Sequence, residues 1–364
     1  MSEVNTFTNG DSLSSSSEQK YNSKQLYLQF LSQDPDLTMP IAAIESLIQI
    51  LKTHNPTTSA EMINIINGSI KELTENIPNS ISLRAGCDIF YRFVIKHLTS
   101  NDSNNKSIST TSFESFKNHL FDNGQLFIDR SKLSRFKIAE YGSQFIKDGD
   151  IILIHGYSRS VIQLLLHAKL KDSKKRFKVL ISEGRPTNGG ILTLKKLRDN
   201  DIYSNLITDT AINSILHKVD KVFVGAEGVT ESGGCINLIG TSTIGILAKE
   251  KHIPFYVVAE SHKFVRMFPL MPNDLPMEQD PLNFISSGAD SKVEFLGEEA
   301  TFLESRKDFM DSNTREHLLL MGDKYLTTPL LDFTKYEYIT AIVTDLGIKT
   351  PSAISEELMN MWYD

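Results

Sequence analysis

Two loops in the second half of the chain contain residue types that bind anions. The first includes Gly156, Ser158 and Arg159 and leads into a helical pattern. A hydroxyl, a guanidinium and the free N–H groups of a helix start are donors that hold phosphate. Arg185, in the next such loop, adds a second cation. These residues predict a pocket for a sugar phosphate or a phosphate ion.

Two later loops could complete that pocket. Glu227 supplies a carboxylate after an apolar run, and a second segment with Asn237, Gly240 and Thr241 precedes another helical pattern. Each residue alone is a weak signal, because an arginine at a strand end is more often an ion-pair partner, and Glu227 could equally cap its own loop. Only their joint occurrence after successive apolar runs favours a ligand site.

Other kinds of chemistry lack their motifs in this sequence. Neither G-x-x-x-x-G-K-[ST] nor G-x-G-x-x-G occurs, so a standard nucleotide-binding loop is not expected. No H-E-x-x-H or similar spacing predicts a metal, and no cofactor is expected. Cys87 and Cys235 lie far apart and outside any CxxC motif, which argues against a zinc site or a disulfide scaffold and for a reducing compartment. Cys235 has no histidine near it in sequence and is interpreted as a buried thiol rather than a nucleophile.

Composition limits the class of protein. The 364 residues carry a formal net charge of −7, whereas nucleic-acid and membrane-surface binders are normally basic. The sequence has no run of about 18 apolar residues and no apolar stretch behind a basic start. We therefore expect a cytosolic protein that binds neither membrane nor nucleic acid directly.

The elements that must position these loops follow from the apolar periodicity. After Gly149, apolar runs at 151–154, 179–181, 222–224 and 255–258 alternate with helical patterns. Strands that are apolar on both faces and separated by helices form a parallel sheet covered on both sides. The sequence therefore predicts a Rossmann-like, doubly wound, mostly parallel sheet that binds ligands at the carboxyl ends of its strands.

The chain before this sheet is predicted to be helical. Apolar residues recur at helical spacing from Ile44, again from Ile63, and again from Leu83. The expected fold class is α/β, with an N-terminal helical domain followed by the Rossmann-like domain. The predicted parts are a disordered, Ser-rich tail at 1–20, a helical domain at 21–147, the Rossmann-like domain at 148–364 with a polar insertion near 286–328, a strand around 338–343 and a helix after Pro351.

Several motifs resemble one superfamily. The runs at 225–229, 237–241 and 254–258 are similar to those of methylthioribose-1-phosphate isomerases, ribose-1,5-bisphosphate isomerases and the regulatory subunits of eukaryotic initiation factor two B. The segments ESHKFVRMFPL at 260–270 and TDLG at 344–347 resemble the alpha-type regulatory subunits in their fungal form. The resemblance extends over nearly the whole chain.

This resemblance implies that isomerase activity has been lost. The isomerases move protons with a cysteine that follows a histidine after the first strand, and with an aspartate in a Gly-Ala-Asp-Arg segment. Gly156 stands at the cysteine position, and Glu227 and Gly228 stand at the aspartate and arginine positions. One acid–base group is absent and the other is one methylene longer, so enzyme activity is not expected.

The resemblance implies a regulatory role instead. The alpha subunit in this family is a homodimer that joins two beta-gamma-delta-epsilon assemblies into a decamer, which exchanges guanine nucleotide on initiation factor two. The alpha, beta and delta subunits sense phosphorylation of that factor's alpha chain and inhibit exchange, which is the translational control of the integrated stress response. The alternative is an active or vestigial phosphopentose isomerase, or a sugar-phosphate sensor.

Two contact surfaces are predicted for this role. An apolar run is expected to form the dimer interface, since exposed apolar patches usually mark interfaces. Its residues are Phe264, Met267, Phe268 and Leu270. Charged residues of the helical domain are expected to contact the phosphorylated partner, although a solvated helix face is the plainer interpretation of any one of them. These residues are Glu45, Arg84, Arg92, Arg130 and Arg135.

Overall fold

The computed structural model describes residues 22–34, 36–77, 81–102, 110–270, 274–275 and 330–363 of the chain. The tail predicted at 1–20 and the insertion predicted at 286–328 lie outside these residues. No helix in the described ranges combines the length and the apolar character needed to cross a bilayer.

The N-terminal part is a helical bundle, as the periodicity predicts. Its helices are α1 (Ser23–Gln33), α2 (Met39–His54), α3 (Ser59–Asn76), α4 (Ile81–Asp102) and α5 (Thr110–Lys132). α2 lies at the centre, because it contacts each of the other four and is buried along almost its whole length. It begins beside Pro40, whose fixed φ suits a first helical turn, and it ends at Asn55 in the left-handed conformation.

The next helix, α6 (Ser134–Gly142), packs in a different core. The apolar cluster of the bundle extends to Ile128, whereas Ile138 and Ala139 pack with the strands and helices of the following sheet. By this packing the two cores divide between 128 and 138, which is earlier in the chain than the domain boundary expected at 147.

A mostly parallel sheet forms the centre of the second part. Its strands are β1 (Ile151–His155), β2 (Lys178–Ser182), β3 (Tyr203–Ile207), β4 (Lys221–Val224), β7 (Phe255–Val258), β10 (Ala341–Thr344) and β11 (Gly347–Lys349). They lie in the order β11-β10-β7-β4-β1-β2-β3, and only the pair β10–β11 is antiparallel. The helices of this part are α7 (Arg159–Lys171), α8 (Gly189–Arg198), α9 (Ile212–Ile215), α10 (Thr241–Glu250) and α11 (Ile354–Tyr363).

Both faces of this sheet are covered. Ile152 and Ile154 of β1 belong to one apolar cluster, and Leu153 between them belongs to another. Because successive side chains of a strand point to opposite faces, the two clusters lie on opposite sides of the sheet. The predicted fold class, a helical part followed by a doubly wound and mostly parallel sheet, is confirmed.

A second, smaller sheet was not predicted. β5 (Gly228–Thr230), β6 (Cys235–Leu238), β8 (Phe264–Val265) and β9 (Leu331–Thr334) pair in the order β8-β5-β6-β9. These short strands contain Gly, Thr, Asn and Asp, so most of them lack an apolar run. The strand predicted at 338–343 is β10, and it begins only at Ala341 because a 3₁₀ turn occupies Tyr336–Tyr338.

Candidate functional site

Two pocket loops meet at the carboxyl ends of β1 and β2. Gly156 and Gly184 both have left-handed backbone, with φ of 58° and 70°, and a Cβ on Gly184 would come within 2.8 Å of the Gly156 Cα. Glycine permits both this conformation and this close approach. The loops therefore pack backbone against backbone, with no room for a side chain at position 184.

Ser158 and Arg159 are engaged by the protein itself. The Ser158 hydroxyl accepts a hydrogen bond from the Val161 N–H (Oγ···N 3.4 Å) and caps α7. Both terminal nitrogens of Arg159 donate to the Leu37 carbonyl, at 3.2 and 3.3 Å. Arg159 was predicted to hold phosphate, but it ties the pocket loop to the segment between α1 and α2.

The loop of Arg185 satisfies its own backbone donors. The Asp209 carboxylate accepts hydrogen bonds from the Gly184 N–H at 3.0 Å and the Arg185 N–H at 2.7 Å. The guanidinium of Arg185 lies 3.5 Å from the Glu183 carboxylate, and the side chain is 53% exposed. Arg185 therefore keeps access to solvent at the sheet edge where the ligand was expected.

The start of α10 is not an open phosphate site, contrary to the prediction. The Oδ2 atom of Asp332 accepts hydrogen bonds from the Gly240 N–H at 2.8 Å and the Ser242 N–H at 3.0 Å. The Thr241 hydroxyl accepts a hydrogen bond from the Asn237 amide at 3.0 Å. An internal carboxylate thus occupies the N–H groups that were expected to bind an anion.

Asp332 is a site residue that the sequence did not reveal. It lies on β9, whose polar residues gave no strand pattern, far along the chain from the helix that it caps. Burial raises the pKa of Asp332 to about 7, although the two backbone donors oppose this rise. Its Oδ1 atom is buried and has no hydrogen-bond partner in the described part of the chain. The carboxyl group therefore holds a proton more readily than an ordinary aspartate does.

His155 is fixed between the two loop regions. Its Nε2 lies 2.9 Å from the Ile239 carbonyl, and its Nδ1 lies 2.6 Å from the Ser182 hydroxyl. Because a carbonyl only accepts hydrogen bonds, Nε2 carries the proton and Nδ1 accepts from Ser182. Burial lowers the pKa of His155, which favours the neutral ring. The imidazole holds β1, β2 and the β6–α10 loop together.

Glu227 contacts the helical bundle rather than an acid–base partner. Its carboxylate accepts a hydrogen bond from the Ser82 hydroxyl, at the start of α4, at 3.0 Å.

Cys235 is buried, and burial raises the pKa of its thiol, so it is not a reactive thiolate. Within the described residues, no group of three or more His, Cys, Asp or Glu side chains could hold a metal ion. Among the described residues, Gly156 and Glu227 do not form a matched proton-transfer pair.

Arg135 was predicted to face a partner, and this prediction was wrong. Its Nε lies 3.1 Å from the Glu260 carboxylate and its Nη1 lies 3.5 Å from that of Asp36, and the side chain is only 14% exposed. Burial raises the pKa of Glu260, but the charges of Lys263 and Arg135 outweigh burial and hold that pKa well below its usual range. A buried, ionised carboxylate therefore binds the guanidinium that was expected at the surface.

The other predicted regulatory residues lie on the bundle. Arg84 on α4 and Arg130 on α5 are exposed. Arg92 is half-buried and lies two turns along α4 from Arg84. Glu45 on α2 is half-buried, and burial raises its pKa while the charge of Lys132 lowers it. Of these four side chains, those of Arg84 and Arg130 have the exposure that a charged contact surface requires.

The predicted dimer run is only partly at the surface. Phe264 on β8 is 1% exposed and packs in the sheet core, so this residue cannot meet a second copy. Met267 is half-buried against the cluster that contains Ile81. Phe268 and Leu270 are 63% and 76% exposed. Those two residues have the exposure that an interface requires.

Comparisons with known proteins agree with the predicted family. A family model described as the initiation factor 2 subunit family matches residues 32–351. A Dictyostelium discoideum protein named translation initiation factor eIF2B subunit alpha is 35% identical over 335 residues, which cover 92% of this chain and 94% of the relative. A Caenorhabditis elegans protein of the same name is 30% identical and covers 91% and 95%. The ribose 1,5-bisphosphate isomerase of Methanocaldococcus jannaschii is 31% identical, but over 65% of this chain and 67% of the relative.

Solved structures share the fold. The Pyrococcus horikoshii translation initiation factor eIF-2B matches with a TM-score of 0.62 at 21% identity, over 92% of this chain and 98% of that one. A chain of the tetrameric eIF2B-beta2-delta2 complex from C. thermophilum matches with a TM-score of 0.65 at 16% identity, over 94% and 96%. At these identities the likeness concerns the fold alone.

Proposed function

Because the chain belongs to the initiation factor 2 subunit family, we propose that it is the alpha-type regulatory subunit of an eIF2B nucleotide-exchange complex. One observation carries this proposal: the match with two alpha subunits covers more than nine-tenths of both chains. The isomerase relative aligns over only about two thirds. A likeness that extends through nearly the whole length includes the bundle that would contact other proteins.

In this proposal the subunit is a cytosolic homodimer that joins two beta-gamma-delta-epsilon assemblies. Phe268 and Leu270 supply exposed apolar side chains suited to the dimer contact. With the beta and delta subunits, it detects phosphorylation of the alpha chain of initiation factor two and inhibits exchange. Arg84 and Arg130 offer exposed guanidinium groups to such a phosphorylated surface.

The same proposal assigns no catalytic activity to the chain. Gly156 has no side chain to donate or accept a proton, and the neutral His155 is held by the Ile239 carbonyl and the Ser182 hydroxyl. Loss of one proton-transfer group lowers a rate by roughly 10² to 10⁴. The pure protein should therefore give no steady conversion of ribose-1,5-bisphosphate or methylthioribose-1-phosphate, and sustained turnover of either would contradict this assignment.

Affinity purification tests the regulatory role. The tagged chain, isolated from cytosol, should retain the beta, gamma, delta and epsilon subunits in equal amounts, and the purified assembly should exchange nucleotide on initiation factor two. A tagged ribose-1,5-bisphosphate isomerase, such as the relative that is 31% identical over 65% of this chain, is the matched control and should retain none of them. Recovery of the chain without any of the larger subunits would overturn the proposal.

A sugar phosphate or phosphate ligand is a second candidate function, and the position of Arg185 favours it. Its half-exposed guanidinium stands beside the two packed glycine loops, where a bidentate contact with phosphate is charge-assisted. Calorimetry with ribose-1,5-bisphosphate should show binding that Arg185→Ala abolishes and that Lys195→Ala, an exposed change on α8, leaves intact. Equal binding by all three proteins would remove this candidate.

A further inference from the structure

An apolar patch lies at the end of α7 that is far from Ser158 and the pocket. Leu133 and Phe136, at the start of α6, are 60% and 55% exposed, and Leu170, in the last turn of α7, is 81% exposed. Together with His167 these residues define the α6–α7 patch. Large apolar side chains that stand together at the surface mark contact sites, whereas single ones are common and need no explanation.

Two contacts show how α6 and α7 run relative to each other. A Cβ on Gly142 would collide with the Leu164 side chain, and the Phe136 ring packs edge-on against His167 with centroids 5.6 Å apart. The earlier residue of α6, at 136, contacts the later residue of α7, at 167, and the later residue of α6, at 142, contacts the earlier one of α7, at 164. The two helices are therefore antiparallel, and the two exposed leucines lie at the same end of the pair.

Cations border this patch. Three exposed lysines flank it in sequence, and they are Lys137, Lys171 and Lys174. None of their ammonium groups has an ion-pair partner among the residues that the structure describes. The same segments contain two exposed carboxylates, those of Glu140 and Asp172, so the three lysines outnumber the acidic groups. The rim is thus positive, although the chain as a whole carries a formal charge of −7.

We propose that the α6–α7 patch binds an acidic amphipathic segment of another subunit of the exchange complex, an inference that rests on the proposed function. The leucine and phenylalanine side chains receive the apolar side of that segment, and the lysines pair with its carboxylates. The charge of the rim selects this occupant over a second copy of the chain. Two such patches meeting about a twofold axis would bring together two rims that are both net positive, which is unfavourable.

The apolar centre also argues for a protein segment rather than a nucleic acid. Single-stranded nucleic acid binds by stacking its bases on aromatic side chains along a basic groove. The patch has one strongly exposed ring, that of Phe136, and its two more exposed residues, Leu133 and Leu170, offer no ring for stacking. A nucleic acid would therefore engage the lysines and leave the leucines in water.

Site-specific crosslinking in the reconstituted complex identifies the occupant. A photoreactive benzoylphenylalanine at Phe136 should crosslink to the beta, gamma, delta or epsilon subunit, and the crosslinked peptide should carry a net negative charge with apolar residues at helical or alternate spacing. The same group at Ile191, which is exposed on α8, is the matched control and should give no crosslink to that peptide. A crosslink from Phe136 to a second copy of this chain, or to no partner, would overturn the inference.

Charge substitutions test the energetics of the same contact. Leu170→Asp should weaken retention of the crosslinked subunit by about tenfold or more, as expected for a central contact, and Lys171→Glu, on the rim, should weaken it by a smaller factor that shrinks at high salt. Ile191→Asp and Lys249→Glu are the matched exposed controls and should retain the subunit normally. All four proteins should melt near the wild-type temperature, because surface changes of this kind have small effects on stability.

These experiments separate the inference from the proposed function. If the wild-type chain assembles with the other subunits and the patch variants assemble equally well, the proposed function stands and the inference fails. If the wild-type chain does not assemble at all, the proposed function fails and the inference fails with it.

Discussion

Gly149 and Gly184 both have left-handed backbone, but a side chain at each position would meet different surroundings. Gly149 has φ of 86° and open space around a Cβ, whereas a Cβ on Gly184 would meet the Gly156 backbone. Gly149→Ala should lower the free energy of unfolding by about 1 kcal/mol, the cost of the left-handed conformation for alanine. Gly184→Ala should lower it by about 3 kcal/mol, because packed backbone must also move. Urea unfolding of both variants checks this, and equal losses would contradict it.

The carboxyl group of Asp332 makes stability depend on pH. Its pKa in the folded protein is raised to about 7, so between about pH 4 and pH 7 the folded state keeps a proton that the unfolded state has released. The stabilisation is therefore complete below the unfolded pKa and is lost as the pH rises through the folded pKa. Each pK unit corresponds to about 1.4 kcal/mol, so the change is on the order of a few kcal/mol.

The substitution Asp332→Asn isolates this titration. An asparagine oxygen can accept the same two hydrogen bonds from Gly240 and Ser242 but does not titrate. The unfolding free energy of wild type minus that of Asp332→Asn should fall as the pH rises from about 4 to about 7. Denaturant titrations at several pH values measure this difference between the two unfolding free energies. The contributions of the other titrating groups are the same in both proteins and cancel. A difference that is independent of pH would show that the carboxyl group does not titrate in this range.

At the scale of elements, one short segment fastens the bundle to the sheet. Between α1 and α2, Asp36 pairs with Arg135, and the Leu37 carbonyl accepts hydrogen bonds from Arg159. The Thr38 hydroxyl lies 3.0 Å from Nε2 of a buried His262, whose pKa burial lowers to about 4. Because this segment leads directly into α2, the central helix of the bundle is oriented by contacts with α6, α7 and the 3₁₀ turn at Ser261–Lys263.

Arg135→Ala should be strongly destabilising. It would leave Glu260 buried with Lys263 as its remaining cation, and breaking a buried pair from one side costs about 3–5 kcal/mol. Lys137→Ala, an exposed change two residues later, should alter the free energy of unfolding by less than about 0.5 kcal/mol. Urea unfolding measures both. Similar stabilities for the two variants would mean that the buried pair contributes little.

The elements differ in how far the sequence could predict them. The apolar runs at 151–154 and 255–258 are buried on both faces of the sheet except at Ile151, so they predict strands without any knowledge of their neighbours. Leu331–Thr334 is a strand only because it pairs with β6, and its Asp332 is polar. The predictions for the phosphate-binding residues were wrong for the same reason. The hydrogen-bond partners of Arg159 and Gly240 are distant in sequence. The spacing of residues along the chain therefore does not indicate which donors already form hydrogen bonds within the protein.

At the scale of the whole molecule, the association state depends on the exposed end of the 260–270 run. If Leu270 lies in the dimer interface, Leu270→Asp should give a monomer at micromolar concentration with an unchanged melting temperature, since the side chain contributes little to the folded protomer. Ile246→Asp, at another exposed apolar position, should remain dimeric. Sedimentation velocity distinguishes the two, and a dimeric Leu270→Asp protein would place the interface elsewhere.

Control of exchange should depend on the charged surface of the bundle. Arg130→Glu should leave assembly intact and reduce the inhibition of nucleotide exchange by phosphorylated initiation factor two, because it puts an anion where a cation would face the phosphorylated partner. Glu45→Lys should leave assembly intact and strengthen that inhibition, because it replaces a like charge with an opposite one. Exchange rates of the reconstituted complex, with and without the phosphorylated factor, measure this. Inhibition as strong as that of wild type in both variants would move the sensing surface to neighbouring subunits.

The carboxylate at the start of α10 acts as a competitor that is permanently tethered. An external phosphate would have to displace Asp332 from the Gly240 and Ser242 donors, and a group held by its own strand competes at an effective concentration of millimolar or higher, on the order expected for short tethers. Free phosphate at lower concentrations would leave this helix start untouched. An anion that reached this edge of the sheet would therefore meet less competition at the guanidinium of Arg185, whose side chain is 53% exposed.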